Sequence, residues 1–205
     1  MTLSPADLHA LARWDTPTIC NALELVVPER RLTGFTVEPM VCLDPTLPPL
    51  VGYARTAHSR TMSEPDESAE EIAERRMAYH DYVAQPPGPT VAVIEDVDPN
   101  PGYGAFWGEV ATAVHWGLGC RGAITNGSMR DLDACAPGFQ LLAGNVVPSH
   151  AWNRVVDFGT PVEIFGMRVA HGDIVHMDRH GAVVIPPRPW PSSRTRSTSS
   201  RGARP

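Results

Sequence analysis

The chain has 205 residues, a formal net charge of −6 and 42% hydrophobic residues, enough for one domain with a core of its own. All 17 basic residues are arginine, so no lysine amine is present; a lysine-imine aldolase, a pyridoxal-phosphate enzyme and a P-loop nucleotide site are excluded. The segment 188–205 holds five arginines and no acid, which leaves 12 bases against 23 acids in the body, a poor nucleic-acid binder.

No apolar run reaches membrane-spanning length, and the N-terminus shows no basic segment followed by an apolar core, so neither a membrane anchor nor a secretory signal is expected. Cys20, Cys42, Cys120 and Cys135 lie far apart without a CxxC pair. Reduced thiols in a cytoplasmic protein are the expectation.

Taken in order, Ser4 caps a first helix with Pro5 at its first position. Asp15-Thr16-Pro17-Thr18 opens a second, with Ile19, Ala22 and Leu23 at helical spacing, and Pro28 stops it. Residues 40–43 and 50–57 read as strands. An acidic helix is expected over 67–83, where Glu70, Glu71 and Glu74 precede Arg75 and Arg76; its pattern suits a solvated surface helix. After the break Pro86-Pro87-Gly88-Pro89, residues 90–94 form an apolar run typical of a buried strand. Glu95-Asp96-Val97-Asp98 follows, as a polar loop or as part of a site.

The stretch from Gly104 to Asp131 carries the most chemistry. A glycine-rich turn leads into a helix from Val110 to about Trp116, then a buried strand over 122–125, the turn Asn126-Gly127, and Arg130-Asp131. Glu109 follows Gly108 at a helix start, where the backbone N–H groups of residues 109–111 are unpaired and favour an anion. Arg130 can fork a carboxylate or steady an oxyanion, and Asp131 is a hard ligand suited to Mg²⁺ or Mn²⁺. Spacing alone equally allows an N-cap glutamate and an Arg–Asp surface pair.

The second half, 138–185, reads as short strands with few helices, ending in a hairpin around Arg179-His180-Gly181. Asp173 and Asp178 suit turns. His115, His150, His171, His176 and His180 form no HxH or HExxH pair, so no histidine metal site is expected. His115 suits packing or surface; His150 is a candidate for lining a pocket. Phe106 and Trp107 suit either a site wall or the core. The chain is therefore a mixed α/β domain over 1–187, followed by an Arg/Ser/Pro-rich tail, 188–205, of disordered composition.

The segment resembles the RraA-like family, which includes 4-hydroxy-4-methyl-2-oxoglutarate aldolases with oxaloacetate decarboxylase activity and regulators of ribonuclease activity. Glu109 and Arg130 enclose twenty residues, Asp131 follows, and Asn126-Gly127-Ser-Met-Arg-Asp-Leu-Asp is similar to the family loop, with Asn for its Asp. Weaker similarity runs from Leu3 through Pro186. The resemblance implies a swivelling β/β/α fold with a mixed sheet and flanking helices, a homotrimer or hexamer, and a small 2-oxo acid as substrate. It implies a divalent-metal-dependent lyase that releases pyruvate through an enolate. Asp131 would bind the metal, Arg130 would stabilise the enolate oxygen, Gly108, Glu109, Val110 and Ala111 would hold the carboxylate through their backbone, and Glu109 would order a water for proton transfer. The alternatives are a non-catalytic regulator that binds a ribonuclease or other protein, and a small-acid hydrolase or isomerase on the same site. Aldolase members often carry an acid three residues after that aspartate, where this chain has Ala134. They usually continue into a C-terminal helix, where this chain turns at Pro186-Pro187 into its arginine-rich tail, as a change of reading frame would produce.

Overall fold

Residues 3–186 are described by a computed structural model; the expected tail, 188–205, lies outside the described residues. Two short helices open the chain. In α1 (Pro5–Leu11) the Ser4 hydroxyl accepts from the Asp7 N–H at 3.2 Å, while the Asp7 carboxylate accepts from the Ser4 N–H at 3.0 Å, a reciprocal cap. In α2 (Thr16–Val26) the Asp15 carboxylate accepts from the Thr18 N–H at 2.9 Å, a one-way cap.

The elements that follow are β1 (Val41–Cys42), β2 (Leu50–Arg60), α3 (Ala69–Val83), β3 (Thr90–Asp96), β4 (Ala105–Trp107) and α4 (Glu109–Gly117). Then come β5 (Cys120–Thr125), β6 (Ser128–Met129), β7 (Gln140–Ala143), β8 (Asn145–Val146) and β9 (Arg154–Phe158). The hairpin β10 (Val162–Ile164)–β11 (Met167–Val169) and the pair β12 (Ile174–Asp178)–β13 (Gly181–Ile185) complete the described chain.

The main sheet has the order β1-β7-β5-β3-β2-β12-β13. Strands β7, β5, β3 and β2 run parallel, and β1, β12 and β13 are antiparallel to their neighbours. Strand β2 organises it. One of its edges pairs β3 from Tyr53 to Ser59; the other is shared, Leu50–Tyr53 with β12 and Ala57–Arg60 with β9. That second edge changes partners between Tyr53 and Ala57, and a bulge at His58/Ser59 bends the β2–β9 pairing that follows. A mixed α/β domain is thus what forms, as the patterning indicates.

Strand β3 is buried on both faces, which its unbroken apolar run requires. Ala92 and Ile94 face a core with Tyr79, Trp107 and Phe139 under α3 and α4, while Val91 and Val93 face a second core with Ile164, Met167 and Val175. Leu8, Ile19 and Leu23 seal the outer face of β12–β13 in a third.

Two expected elements shift. Strand β2 runs on to Arg60, because Asp98 captures the Thr61 and Met62 N–H groups at 2.5 and 2.8 Å just beyond it. Helix α3 starts at Ala69, because Ser68 and Glu71 cap each other. Its expected solvated character holds for one face only: Tyr79, Tyr82 and Val83 are buried. The loop after it is secured by Arg55, whose buried guanidinium donates to the carbonyls of Ala54, Gln85 and Pro87.

Helix α2 docks through its first turn. The Thr16 N–H donates to the buried Asp178 carboxylate at 2.8 Å, and the same carboxylate accepts from the His180 N–H at 2.8 Å. His176 Nε2–H donates to the Trp14 carbonyl at 3.0 Å, leaving Nδ1 to accept from the Thr16 hydroxyl at 3.0 Å. Replacing Asp178→Ala strands the buried Thr16 N–H and removes the acceptor of the part-buried His180 N–H, and is expected to cost about 1–3 kcal/mol, read as a lowered urea midpoint at unchanged slope.

Candidate functional site

The site begins with short strands. The sequence reads as a glycine-rich turn before α4, yet Ala105–Trp107 is a strand, paired parallel with β6, which pairs parallel with β8. The Arg130 N–H then donates to the Trp107 carbonyl at 2.9 Å. This pairing lays the start of α4 against the loop after β5, although twenty residues separate Glu109 from Arg130.

The preceding loop is held by carboxylates. Asp96 accepts from the Gly102 and Asp98 N–H groups, and burial raises its pKa above the usual carboxylate range. Asn126 accepts from the Asp96 N–H at 2.7 Å and donates to the Asp96 carbonyl at 3.1 Å. An aspartate could not supply that donor, which explains the asparagine at this position. The Glu95-Asp96-Val97-Asp98 run is thus a brace, since Asp96 and Asp98 point into the loops they fix.

Gly108 caps α4 without a side chain. A Cβ built there would lie 2.6 Å from Asp131 Oδ2, so the glycine keeps that carboxylate's place clear. Asp131 Oδ2 stands 3.4 Å from the Glu109 backbone nitrogen and 3.5 Å from Arg130 Nε. Asp131 itself has φ 52°, a left-handed conformation costing a non-glycine residue on the order of 1 kcal/mol. It is held there by the Ala134 and Cys135 N–H groups, which donate to its carbonyl at 2.9 and 3.1 Å. The turn is tied back to α4: the Thr112 hydroxyl donates to the Gly108 carbonyl and accepts from the Ala136 N–H.

Beside this corner lies a cavity of about 520 Å³ between α3 and α4, within the ordinary ~300–1,000 Å³ range for small-molecule sites. Gly108, Val110, Ala111, Arg130 and Asp131 line it, so five of the six expected site residues meet at one wall. Glu109 is exposed and is not among the lining residues; its backbone nitrogen stands beside Asp131 Oδ2 instead. His150 lines the cavity, as its position after Pro148-Ser149 suggests. Phe106 is a wall residue and Trp107 a fully buried core residue.

His115 forms the floor. Its Nδ1–H donates to the Ala111 carbonyl at 2.7 Å, so Nε2 accepts from the Tyr79 hydroxyl at 2.9 Å. Burial pushes the imidazole down to about 4 and the Tyr79 phenol well above its usual range. The sequence reading missed Arg76, Tyr79, His80 and Arg154 as lining residues. A signal was present in the helical spacing of Arg76, Tyr79, His80 and Val83, which shares one face.

The other histidines have structural partners: His171 with Tyr82, His176 with Thr16 and Trp14, His180 with Asp178. Among the described residues no group of three or more His, Cys, Asp or Glu side chains is placed to hold a metal ion. A site with Asp131 as sole direct carboxylate fits a hard cation that keeps most of its waters, and does not fit a zinc-like cage.

The family model described as Aldolase/RraA matches residues 16–184. The chain belongs to the RraA-like family. No curated protein matches it. Among solved structures it is similar to a protein described as a novel cellulase from microbes associated with the gut ecosystem (TM-score 0.74, 18% identity, covering 91% of this chain and 80% of that one). It is similar to Streptomyces coelicolor RraAS2, described as an unusual member of the RNase ES inhibitor RraA family (0.68, 21%, 91% and 87%). It also resembles the RNA-processing inhibitor RraA from Thermus thermophilis (0.60, 16%, 85% and 96%). At such identities these structures establish the shared RraA-like fold.

Acid titration checks the floor. His115 is neutral in the folded protein down to about pH 4, while an unfolded histidine takes up its proton near 6.5. Between those values the unfolded chain binds more protons, so stability is full above about pH 6.5 and falls by about 3 kcal/mol as pH drops to 4. Urea melts of His115→Leu should lose that component of the pH slope.

Proposed function

We propose that this RraA-like protein is a divalent-metal-dependent lyase that cleaves a 4-hydroxy-2-oxo acid of the 4-hydroxy-4-methyl-2-oxoglutarate type to pyruvate, and that it also decarboxylates oxaloacetate. The observation that carries the reading is the convergence of Arg130, Asp131 and the open start of α4 on one cavity wall. Asp131 would hold Mg²⁺ or Mn²⁺, whose chemistry when bound is to grip the 2-oxo acid and withdraw electron density from its carbonyl.

The protein's own groups account for the rest. Backbone N–H groups of residues 109–111, at the positive end of α4, bind the substrate carboxylate. The Arg130 guanidinium faces the keto oxygen. As the C3–C4 bond breaks, its electrons pass toward that oxygen, and Arg130 stabilises the growing negative charge. In the aldol substrate the C4 hydroxyl gives up its proton to a water ordered by the Glu109 carboxylate and becomes the carbonyl of the second product; in oxaloacetate the C4 carboxylate leaves as carbon dioxide. A water ordered by the Glu109 carboxylate returns a proton to C3, giving pyruvate.

The exposed apolar residues Val110, Val114, Trp116 and Leu132 beside this corner suit a subunit contact, and we place a homotrimer or a hexamer there. The fold shared with ribonuclease inhibitors supports a second reading, a non-catalytic regulator acting through protein contacts. Among the described residues no helix is long and apolar enough to cross a membrane.

Pyruvate release from both substrates, with Mg²⁺ and with EDTA, separates the readings. Mg²⁺-dependent turnover is expected, with Arg130→Ala lowering kcat by about 10²–10³ and Asp131→Ala abolishing the metal dependence. No turnover of either substrate with metal rejects the lyase. A second check is Gly108→Ala, whose methyl group displaces the Asp131 carboxylate: turnover should drop while the far-ultraviolet circular dichroism is unchanged.

A further inference from the structure

The cavity has two unlike ends. Asp131 is the one carboxylate among its lining residues, against the guanidiniums of Arg76, Arg130 and Arg154. Arg130 and Asp131 form the α4 end. Arg76 lies on α3 and Arg154 starts β9, two elements packed on each other.

Arg154 is already engaged. Its Nη1 donates to the Ser63 carbonyl at 2.6 Å and its Nη2 to the Ser63 hydroxyl at 3.2 Å. Its Nε lies 3.6 Å from the Glu67 carboxylate, which Arg75 also grips at 2.6 Å. Glu67 is thus shared between Arg75 and Arg154. Arg76 has no hydrogen bond or ion pair among the described residues. Its charge is felt at the wall: together with the larger effect of burial it lowers the pKa of His80, which lines the cavity beside it. In a chain body rich in acids, this wall carries an uncompensated cation.

We propose that Arg76 is a specificity-determining residue that binds a second carboxylate, at the far end of a 2-oxo acid whose first carboxylate and keto oxygen occupy the Arg130–Asp131 end. This rests on the 2-oxo acid reading above. A guanidinium presents paired donors in the geometry a carboxylate accepts. A three-carbon 2-oxo acid leaves most of the roughly 520 Å³ unfilled and Arg76 without a partner. A dicarboxylic one spans both ends.

Calorimetry on the full chain with Mg²⁺ tests this without turnover. The probes are 2-oxoglutarate and 2-oxohexanoate, alike at the 2-oxo acid end and different in the distal carboxylate. The unaltered protein should bind 2-oxoglutarate about tenfold to a hundredfold more tightly, the range of one charge-assisted hydrogen bond. Arg76→Met should erase that preference and leave 2-oxohexanoate binding unchanged, and Arg76→Lys should restore part of it. Arg76 is exposed, so neither substitution opens the core. Equal binding of both probes by the unaltered protein, or equal weakening of both by Arg76→Met, overturns the subsite and leaves the 2-oxo acid reading standing. If neither probe binds at millimolar concentration, both inferences fall.

Discussion

The hydrogen bond from the Arg130 N–H to the Trp107 carbonyl extends the pairing of β4 with β6, and the whole cavity wall depends on that pairing. Three strands of two or three residues are too short to be stable alone. They persist because Trp107 and Met129 are buried in the core under α3 and α4. Backbone geometry follows from that burial: Trp107 fixes where α4 starts, Met129 fixes where the Arg-Asp pair emerges, and one parallel register sets the two beside each other. Gly108 completes the arrangement, since any side chain there would occupy the space of the Asp131 carboxylate.

A second constraint is the polar floor. Tyr79 and His115 are both buried, and each satisfies the other while the remaining imidazole nitrogen is satisfied by the Ala111 carbonyl. That bond chain runs from α3 through the cavity floor into the first turn of α4. It holds the two helices that form the cavity walls at a fixed relation, and it requires a neutral imidazole. The acid sensitivity expected of the fold and the shape of the cavity thus have one physical source.

Much of the fold was legible. The two-face burial of β3 follows from the unbroken apolar run Val91–Ile94, and the caps at Ser4 and Asp15 follow from hydrogen-bonding side chains before helical spacing. The site corner was legible because Glu109, Arg130 and Asp131 lie in one segment. Helix α3 was only half legible: its charge pattern describes the solvated face, and the spacing of Tyr79, Tyr82 and Val83 that marks the other face was outweighed by the acids around it. The strands β4, β6 and β8 carry no periodicity, being shorter than one full alternation, so their existence rests on partners distant in sequence.

The sequence by itself determined the chemistry available: arginine in place of lysine throughout, one contiguous stretch with an acid, an open helix start and an Arg-Asp pair, and a match to the RraA-like family. Tertiary structure alone decided what faces that stretch. Arg76, Tyr79, His80 and Arg154 come from α3 and β9, and they reach the cavity because β2 changes partners after Tyr53 and pairs with β9, which packs on α3. Local spacing encodes which residues share one helix or strand. Which elements meet across a cavity depends on burying apolar faces from the whole chain at once, and no single segment contains that information.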